Sequence, residues 1–337
     1  MSHDLLSVPP LLLQARDRLR AGDVVAIPTE TVYGLAASIA SEAGLRKIFA
    51  IKQRPFFDPL IVHVASVPEA VSLVQEWPAL VDYLTQTFWP GPLTVVLPKS
   101  PHVHPLITAG GETVAIRWPA HPLAETLIRL VGSPLAAPSA NKFGRTSPSR
   151  PEHVAQEFAG ADLLILDGGA CTVGVESTVI EYLPAQAGPA TIHILRPGGV
   201  TAAMLRQALA HWPQPVTVRQ AHSAATPGHL PHHYMPSIPL VILSDADASP
   251  GAPLSAATRR RLTQALPLPS DWRACELRLD PDPALAARIL YSDLHRLAAS
   301  GAQVIYVRAT PTRLHDDLWS AIWDRLQRAA SLDLTAS

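Results

Sequence analysis

Positively charged side chains end two of the apolar segments of this chain. Lys52-Gln53-Arg54 closes a helical pattern, and the 337 residues include only four lysines. Two neighbouring cations can hold the phosphates of a nucleotide, although cations at this place also offset the helix dipole. Arg117 ends the strand-like run Thr113-Val114-Ala115-Ile116-Arg117. Because an unpaired charge is costly in a buried strand and a guanidinium binds a carboxylate bidentately, these residues indicate a site for an anionic ligand.

Imidazole, hydroxyl and amide groups end or follow other strand-like runs. His63 lies in an apolar run, where a histidine is either a core residue or a ligand-binding one. Ser139-Ala140-Asn141 follows such a run, but these residue types are also common in turns. Ser177 and Thr178 are compatible with plain strand positions. No His or Asp follows Ser139 at the spacing of a nucleophile elbow, which argues against a serine hydrolase.

The sequence lacks the usual signatures of phosphate and metal sites. It contains no GxxxxGK[ST], HExxH or CxxC, and each of its three Gly-Gly pairs is more often a turn than a phosphate cradle. His229, His232 and His233 resemble a metal cluster, but no cysteine or carboxylate stands near them. We therefore expect a solvated connector at these histidines and no metal site.

Length, composition and charge limit the class of protein. A chain of 337 residues exceeds one ordinary core, and 47% hydrophobic against 16% charged residues is a globular composition. The net charge of -1 opposes a module that holds RNA mainly through its phosphates. Two distant cysteines predict neither a disulfide framework nor a zinc site. With no leader pattern at the start and no run of about 20 apolar residues, we expect a cytoplasmic protein that contacts no membrane.

A mixed α/β sheet with helices against it has to position the candidate residues. The apolar pattern predicts helices at 10–21, 41–52, 122–131, 150–158 and 200–210. Strand-like runs fall at 24–27, 60–65, 93–97, 114–117, 135–137, 163–166, 177–182 and 191–195. The chemistry-bearing residues thus lie near strand ends or in the turns that follow them.

The pattern changes after Trp212. Prolines recur through 213–239, which predicts an ordered connector rather than a flexible tether. Beyond it, strands at 240–243, 275–279 and 304–308 alternate with helices at 256–265, 283–299 and 314–330, which predicts a small parallel sheet. We therefore predict three parts, at 1–212, 213–239 and 240–337.

The order of the motifs is more specific than any motif alone. The first motifs are Pro28-Thr29-Glu30-Thr31-Val32-Tyr33-Gly34-Leu35, Lys52-Gln53-Arg54-Pro55 and Pro59-Leu60-Ile61-Val62-His63. They are followed by Trp89-Pro90-Gly91-Pro92-Leu93-Thr94, Arg117-Trp118-Pro119, Ala137-Pro138-Ser139-Ala140-Asn141, Asp167-Gly168-Gly169, Glu176-Ser177-Thr178-Val179 and Arg196-Pro197-Gly198. This series resembles the YrdC-like family of threonylcarbamoyl-AMP synthases. The connector, with Pro227-Gly228 and His233-Tyr234-Met235-Pro236, is similar to the long two-domain branch of that family.

The resemblance implies a fold and a reaction. The fold would be a twisted mixed sheet around a large cavity, followed by a smaller Rossmann-like parallel α/β domain. The reaction would join L-threonine, bicarbonate and ATP, with Mg²⁺ accompanying the ATP, into threonylcarbamoyl-adenylate and pyrophosphate. A partner transferase machinery would then pass the threonylcarbamoyl group to an adenosine next to the anticodon of certain tRNAs.

The resemblance also implies roles for single residues. Threonine or its carbamate would be held by Thr31, His63, Arg117, Ala137 and Ser177. The ATP side would be lined by Lys52, Arg54, Asp58, Thr113, Ser139, Asn141, Ser147 and Arg196, with Tyr234 closing over the nucleotide. Of these, Lys52, Arg54, Ser139 and Asn141 would serve catalysis most directly. Asp58 stands where the family often has asparagine, so a negative group would lie near the phosphates unless Arg54 pairs with it.

Two other functions stay open at this level. One is a double-stranded RNA- or tRNA-binding module that uses the same cavity without catalysis, which the overall charge opposes. The other is a carbamoyl-transfer enzyme that acts on a different amine or on a protein.

Overall fold

Two compact units make up the chain. The computed structural model describes residues 9–184, 188–221, 233–244, 253–309 and 317–335. The first unit comprises Met1–Phe143 with Ser147–His229, and the second comprises Gly144–Thr146 with Leu230–Ser337. The division at 1–212, 213–239 and 240–337 stays a prediction. Pro227-Gly228, His229 and His232 of the predicted connector lie outside the described residues.

Helix ends in the first unit follow from local sequence. Ser41 accepts a hydrogen bond from Gly44 N at 3.1 Å and begins α2 (Glu42–Lys52), which ends at Gln53 in a left-handed conformation. His121 caps α6 (Pro122–Val131) through Leu123 N at 3.3 Å. The other helices of this unit are α1 (Pro10–Arg20), α3 (Val67–Ser72), α4 (Ala79–Phe88), α5 (Pro105–Thr108), α7 (Pro151–Glu157) and α8 (Ala202–Leu209).

A ten-stranded mixed sheet forms the centre of the first unit. Its strands are β1 (Val25–Ile27), β2 (Gly34–Ser38), β3 (Ile61–His63), β4 (Leu93–Pro98), β5 (Thr113–Arg117), β6 (Leu135–Ala136), β7 (Leu164–Ile165), β8 (Thr178–Leu183), β9 (Ala190–Arg196) and β10 (Val216–Gln220). The order is β10-β9-β8-β4-β5-β3-β6-β2-β1-β7. The sheet contains parallel pairs such as β3 with β5 and antiparallel pairs such as β4 with β5. The predicted mixed sheet is confirmed, whereas the large cavity stays a prediction.

Two strands of this sheet differ from the sequence prediction. Gly34–Ser38 forms β2, although Gly, Ala and Ser have low strand propensity, because all five residues are buried in the middle of the sheet. Val216–Gln220 forms the edge strand β10, parallel to β9, where the sequence pattern indicated only a connector. Its half-buried and exposed side chains explain why hydrophobic patterning did not reveal it.

Helices pack against both faces of the sheet. Val62 of β3, Val95 of β4 and Ile116 of β5 belong to the main hydrophobic core, which also contains Leu45 of α2 and Leu84 of α4. Helices α2 and α4 therefore cover the face to which these three strand residues point, because side chains alternate along a strand. On the opposite face, α1 and α6 pack against β1, β2 and β6.

The second unit contains a parallel four-stranded sheet, as the sequence predicted. Its strands are β11 (Leu240–Ser244), β12 (Ala274–Glu276), β13 (Val304–Ala309) and β14 (Leu332–Asp333), in the order β12-β13-β11-β14. The helices are α9 (Ala256–Ala265), α10 (Pro283–Ala298) and α11 (Asp317–Ala329). Only the short β14, parallel to β11, was not predicted. In neither unit does any helix within the described ranges have the length and apolar character needed to cross a bilayer.

Candidate active site

Neighbouring strands place His63 and Arg117 side by side. In the parallel pair of β3 and β5, His63 is in register with Arg117 and Ile61 with Ala115. Partners in register point to the same face of a sheet, so all four side chains lie opposite the face that α2 and α4 cover. A small separate cluster of Ile61, Ala115, Val96, Val179 and Leu195 forms the apolar floor of this second face. The side chains of His63 and Arg117 stand at the margin of that floor.

The Arg117 guanidinium is buried among fixed polar groups. Its Nη1 donates to Thr31 Oγ1 at 2.8 Å and its Nε to Gly91 O at 3.2 Å. Its Nη2 lies 2.7 Å from Glu30 Oε2. The Thr31 hydroxyl is in turn 2.9 Å from that of Thr29. Thr31 and Arg117, both predicted for the threonine side, are therefore in direct contact.

His63 is held neutral by its surroundings. The residue is 3% exposed, and burial lowers the pKa of its imidazole from 6.5 to about 3, helped by the charge of Arg117. Its Nδ1 makes no hydrogen bond with any residue that the structure describes. A neutral imidazole can bind a ligand without adding charge to the site.

Ser177 links the predicted threonine side to the predicted nucleotide side. Its hydroxyl is 2.7 Å from Thr94 Oγ1 and accepts from Arg196 Nη2 at 3.2 Å. Arg196 also donates to the carbonyl oxygen of Ser177, from Nη2 at 3.0 Å and from Nε at 3.2 Å. The backbone after Arg196 packs closely against the backbone before Ser177, because a Cβ at Gly198 would lie only 2.3 Å from Glu176 O. The glycine therefore permits this contact.

Lys52 holds the loop that carries Ser139 and Asn141. Its Nζ donates to Ser139 O at 2.5 Å and also to Asn141 O. The residue is 1% exposed, and burial lowers the pKa of its amine well below the usual range, with a further contribution from Arg54. Three of the four residues predicted to serve catalysis are thus joined directly. In this arrangement Lys52 fixes the loop.

Arg54 pairs with Asp58. Arg54 Nη2 lies 2.9 Å from Asp58 Oδ2 and donates to Pro59 O at 2.8 Å. Burial raises the pKa of the Asp58 carboxyl, while Arg54, Lys52 and Arg196 act in the opposite direction. The negative group that the sequence placed near the phosphates is therefore compensated by a cation.

The remaining predicted residues lie at different places. Ser147 Oγ donates to Glu176 Oε1 at 2.7 Å, next to Ser177. Ala137 N donates to Ile61 O at 3.0 Å, so its amide is already used within the sheet. Thr113 begins β5, roughly 13 Å along the strand from Arg117.

Tyr234 belongs to the second unit, so its predicted closure over the nucleotide stays a prediction. It is 1% exposed and has φ 65°. There its ring stacks on Tyr291 at 5.9 Å, and its carbonyl accepts from Thr146 Oγ1 at 3.1 Å. Across the described part of the chain, no group of three or more His, Cys, Asp or Glu could hold a metal ion.

Family models match the chain in two consecutive stretches. The model Sua5_yciO_yrdC, described as "Telomere recombination", matches residues 17–198, which is more than half of the chain. The chain belongs to the Sua5/YciO/YrdC family. A second model, "Threonylcarbamoyl-AMP synthase, C-terminal domain", matches residues 200–331. The resemblance read from the motif order is confirmed.

Relatives with a shared name support the same family. The chain is 42% identical over 230 residues to a threonylcarbamoyl-AMP synthase of Pyrococcus abyssi. This match covers 67% of this chain and 65% of that protein. It is 42% identical over 248 residues to one of Bacillus subtilis, covering 72% of this chain and 69% of the relative. The matched stretch thus spans about two thirds of each relative's length.

A solved structure of the Sua5/YciO/YrdC family matches both units. The crystal structure of P. abyssi Sua5 complexed with L-threonine is similar with a TM-score of 0.77 and 32% identity, over 96% of each chain. The two-unit α/β architecture is therefore shared with that Sua5 protein.

Two buried acids of the site were not among the residues predicted from the sequence. Glu30 is 6% exposed beside Arg117, and Glu176 is 6% exposed beside Ser147. Both occur inside motifs that were singled out for their hydroxyl residues. A carboxylate among apolar and hydroxyl residues was the available signal, because a buried acid requires a partner.

Proposed function

We propose that this protein catalyses the ATP-dependent synthesis of L-threonylcarbamoyladenylate from L-threonine and bicarbonate, with release of pyrophosphate. The observation that carries the proposal is the likeness, over 96% of both chains, to P. abyssi Sua5 in complex with L-threonine. The name shared by the relatives supports the same reaction. The geometry of the first unit is compatible with it at both ends of the proposed site.

Threonine would bind around Arg117. A buried guanidinium that is already oriented by Thr31 and Gly91 can take the carboxylate without reorganising. The neutral imidazole of His63 and the hydroxyl of Ser177 would complete this subsite, together with the carbonyl of Ala137. No strong nucleophile of the protein is needed there.

ATP would bind along the cations of the other side. Arg54 and Arg196 act electrostatically on one carboxylate, Asp58, and are therefore close enough to serve one polyanion. Thr113, Ser139, Asn141 and Ser147 would add hydroxyl and amide contacts. Mg²⁺ would enter as part of the ATP substrate, with phosphate oxygens as ligands, since the two acids of this subsite, Asp58 and Glu176, are already engaged by Arg54 and Ser147.

The substrate would supply the attacking atom. Threonine's ammonium and bicarbonate give the carbamate, one water and one proton. A carbamate oxygen then forms a bond to the α-phosphorus, the bond from that phosphorus to the bridging oxygen breaks, and pyrophosphate leaves. The protein would hold the two reactants together and offset charge on the phosphates, which are the main sources of rate in phosphoryl chemistry.

We propose that the product is used by a separate transferase machinery for tRNA in the cytoplasm. The net charge of -1 does not favour a broad phosphate-binding surface, so tRNA contact by this chain is not required by the proposal.

The decisive test is pyrophosphate release from ATP by the purified full chain. We expect release that needs both L-threonine and bicarbonate, together with an adenylate product of the corresponding mass. Release that is unchanged without threonine would refute the proposal.

The same assay separates the two alternative functions. Turnover with carbamoyl phosphate in place of threonine would favour a carbamoyl transferase. Tight, salt-dependent tRNA binding with no turnover would favour an RNA-binding module.

A further inference from the structure

Two buried charges beside the apolar floor have unused hydrogen-bonding capacity. Arg117 Nη2 and Glu30 Oε2 are 2.7 Å apart, but Nη2 makes no hydrogen bond among the described residues, so the contact is an ion pair without hydrogen-bond alignment. Glu30 Oε2 accepts from Ala120 N at 3.1 Å. Within the same described set, Glu30 Oε1 is buried and has no partner. An open donor and an open acceptor therefore stand side by side.

Such groups are expensive to leave unsatisfied when they are buried. Arg117 is 4% exposed and Glu30 is 6% exposed, so bulk water does not compensate them. A buried polar atom without a partner costs free energy, and an ionised one costs more. Because two such atoms adjoin each other, one ligand with an anionic group next to a cationic group would satisfy both.

The neighbouring titratable groups add no charge to this pair. Burial lowers the pKa of His63 to about 3 and raises the pKa of the Cys171 thiol to about 12, so both are neutral near pH 7. Burial also lowers the pKa of His121, although Glu30 acts in the opposite direction. The surroundings of Arg117 and Glu30 thus offer one positive and one negative group, and a net charge near zero.

We infer that Glu30 recognises the α-ammonium group of the substrate while Arg117 takes its carboxylate, so that the pair selects a zwitterionic α-amino acid over a carboxylate that lacks the amine. This inference rests on the proposed function, whose substrate class it explains. In an α-amino acid the nitrogen is bonded to the carbon that bears the carboxylate, so a carboxylate on Arg117 brings the ammonium within a few ångströms of Glu30. At that distance in a poorly hydrated site, loss of the acid would weaken binding of the cation about 10- to 100-fold.

The test compares L-threonine with 3-hydroxybutyrate, which keeps the carboxylate and the β-hydroxyl but has no amine. Calorimetry without ATP or bicarbonate would give both dissociation constants for the full chain. We expect wild type to bind threonine at least tenfold more tightly than 3-hydroxybutyrate. In Glu30→Gln we expect threonine binding to weaken about 10- to 100-fold and 3-hydroxybutyrate binding to strengthen, because the pocket then has a net positive charge.

Two variants control for structural damage. Glu30→Asp retains the charge and should keep most of the preference for threonine. Glu125→Gln removes the acid of a surface pair with Arg129, also at 2.7 Å, and should behave as wild type. Equal weakening of both ligands in Glu30→Gln, with the preference unchanged, would overturn the inference.

The two dissociation constants of the wild-type chain test the inference without any variant. Equal affinity for threonine and 3-hydroxybutyrate would overturn the inference even if Glu30→Gln failed to fold. Binding of neither ligand by wild type would instead contradict the proposed function, so the two failures are distinguishable.

Discussion

Replacement of His63 by glutamine should flatten the dependence of stability on pH. His63 is 3% exposed in β3, and burial lowers the pKa of its imidazole to about 3 in the folded chain. In the unfolded chain the pKa returns to its usual value of about 6.5. Between these two values the unfolded state binds a proton that the folded state does not.

The sign and size of the effect follow from this difference. The contribution of His63 to stability is fully present above pH 6.5 and is lost as the pH falls from there towards 3. Integration of the proton linkage to pH 5 gives a loss of about 2 kcal/mol relative to neutral pH. Glutamine has no such proton, so this part of the pH dependence should vanish in His63→Gln.

Urea unfolding at pH 7 and pH 5, followed by hydrogen–deuterium exchange of a peptide that contains β3, would measure this difference in the first unit. His102→Gln is the matched control because His102 is exposed. We expect the loss between pH 7 and pH 5 to be about 2 kcal/mol smaller in His63→Gln than in wild type. The same loss in wild type, His63→Gln and His102→Gln would refute the idea that burial holds His63 neutral.

Three further substitutions test other parts of the proposed site. Lys52→Met would remove the amine that holds two loop carbonyls, and pyrophosphate release should fall about 10²- to 10³-fold. Lys47→Met at the surface is the control and should leave the rate of release unchanged. Equal rates of release in the two variants would exclude a role for Lys52. Gly198→Ala would place a Cβ 2.3 Å from Glu176 O, so urea unfolding should show a loss of about 1–3 kcal/mol. An unaltered urea midpoint in Gly198→Ala would mean that the backbone at Glu176 can shift without cost. Ser177→Ala should raise the KM for threonine several-fold with little change in kcat, and an unchanged KM would remove Ser177 from the threonine subsite.

Local sequence signals predicted many of the elements. The helix 122–131 begins after His121 and ends before Gly132, and the helix 256–265 begins after Ser255. Both helices were predicted with the observed bounds. The alternation of strands and helices after residue 239 was sufficient for the parallel sheet of the second unit. These features depend on residues that are near one another in the chain.

Features that depend on distant residues could not be predicted in this way. The strand β2 owes its existence to neighbours on both sides in a ten-stranded sheet, and its own Gly, Ala and Ser residues give little indication of it. The motif order pointed to Thr31 and Arg117, but only the fold shows that Glu30 lies against the same guanidinium. Likewise, nothing in the sequence around Lys52 indicates that its amine donates hydrogen bonds to the backbone carbonyls of Ser139 and Asn141.

The hydrogen bonds from Arg196 to Ser177 have a thermodynamic consequence. One guanidinium group touches both the carbonyl and the hydroxyl of a residue assigned to threonine, while it is itself assigned to the nucleotide. On the proposed assignments, a phosphate that draws Arg196 away alters the hydroxyl group that threonine contacts. Linkage then requires that ATP change the affinity for threonine by the same factor by which threonine changes the affinity for ATP. In the proposed reaction, each substrate would thus change the binding of the other before any bond is made.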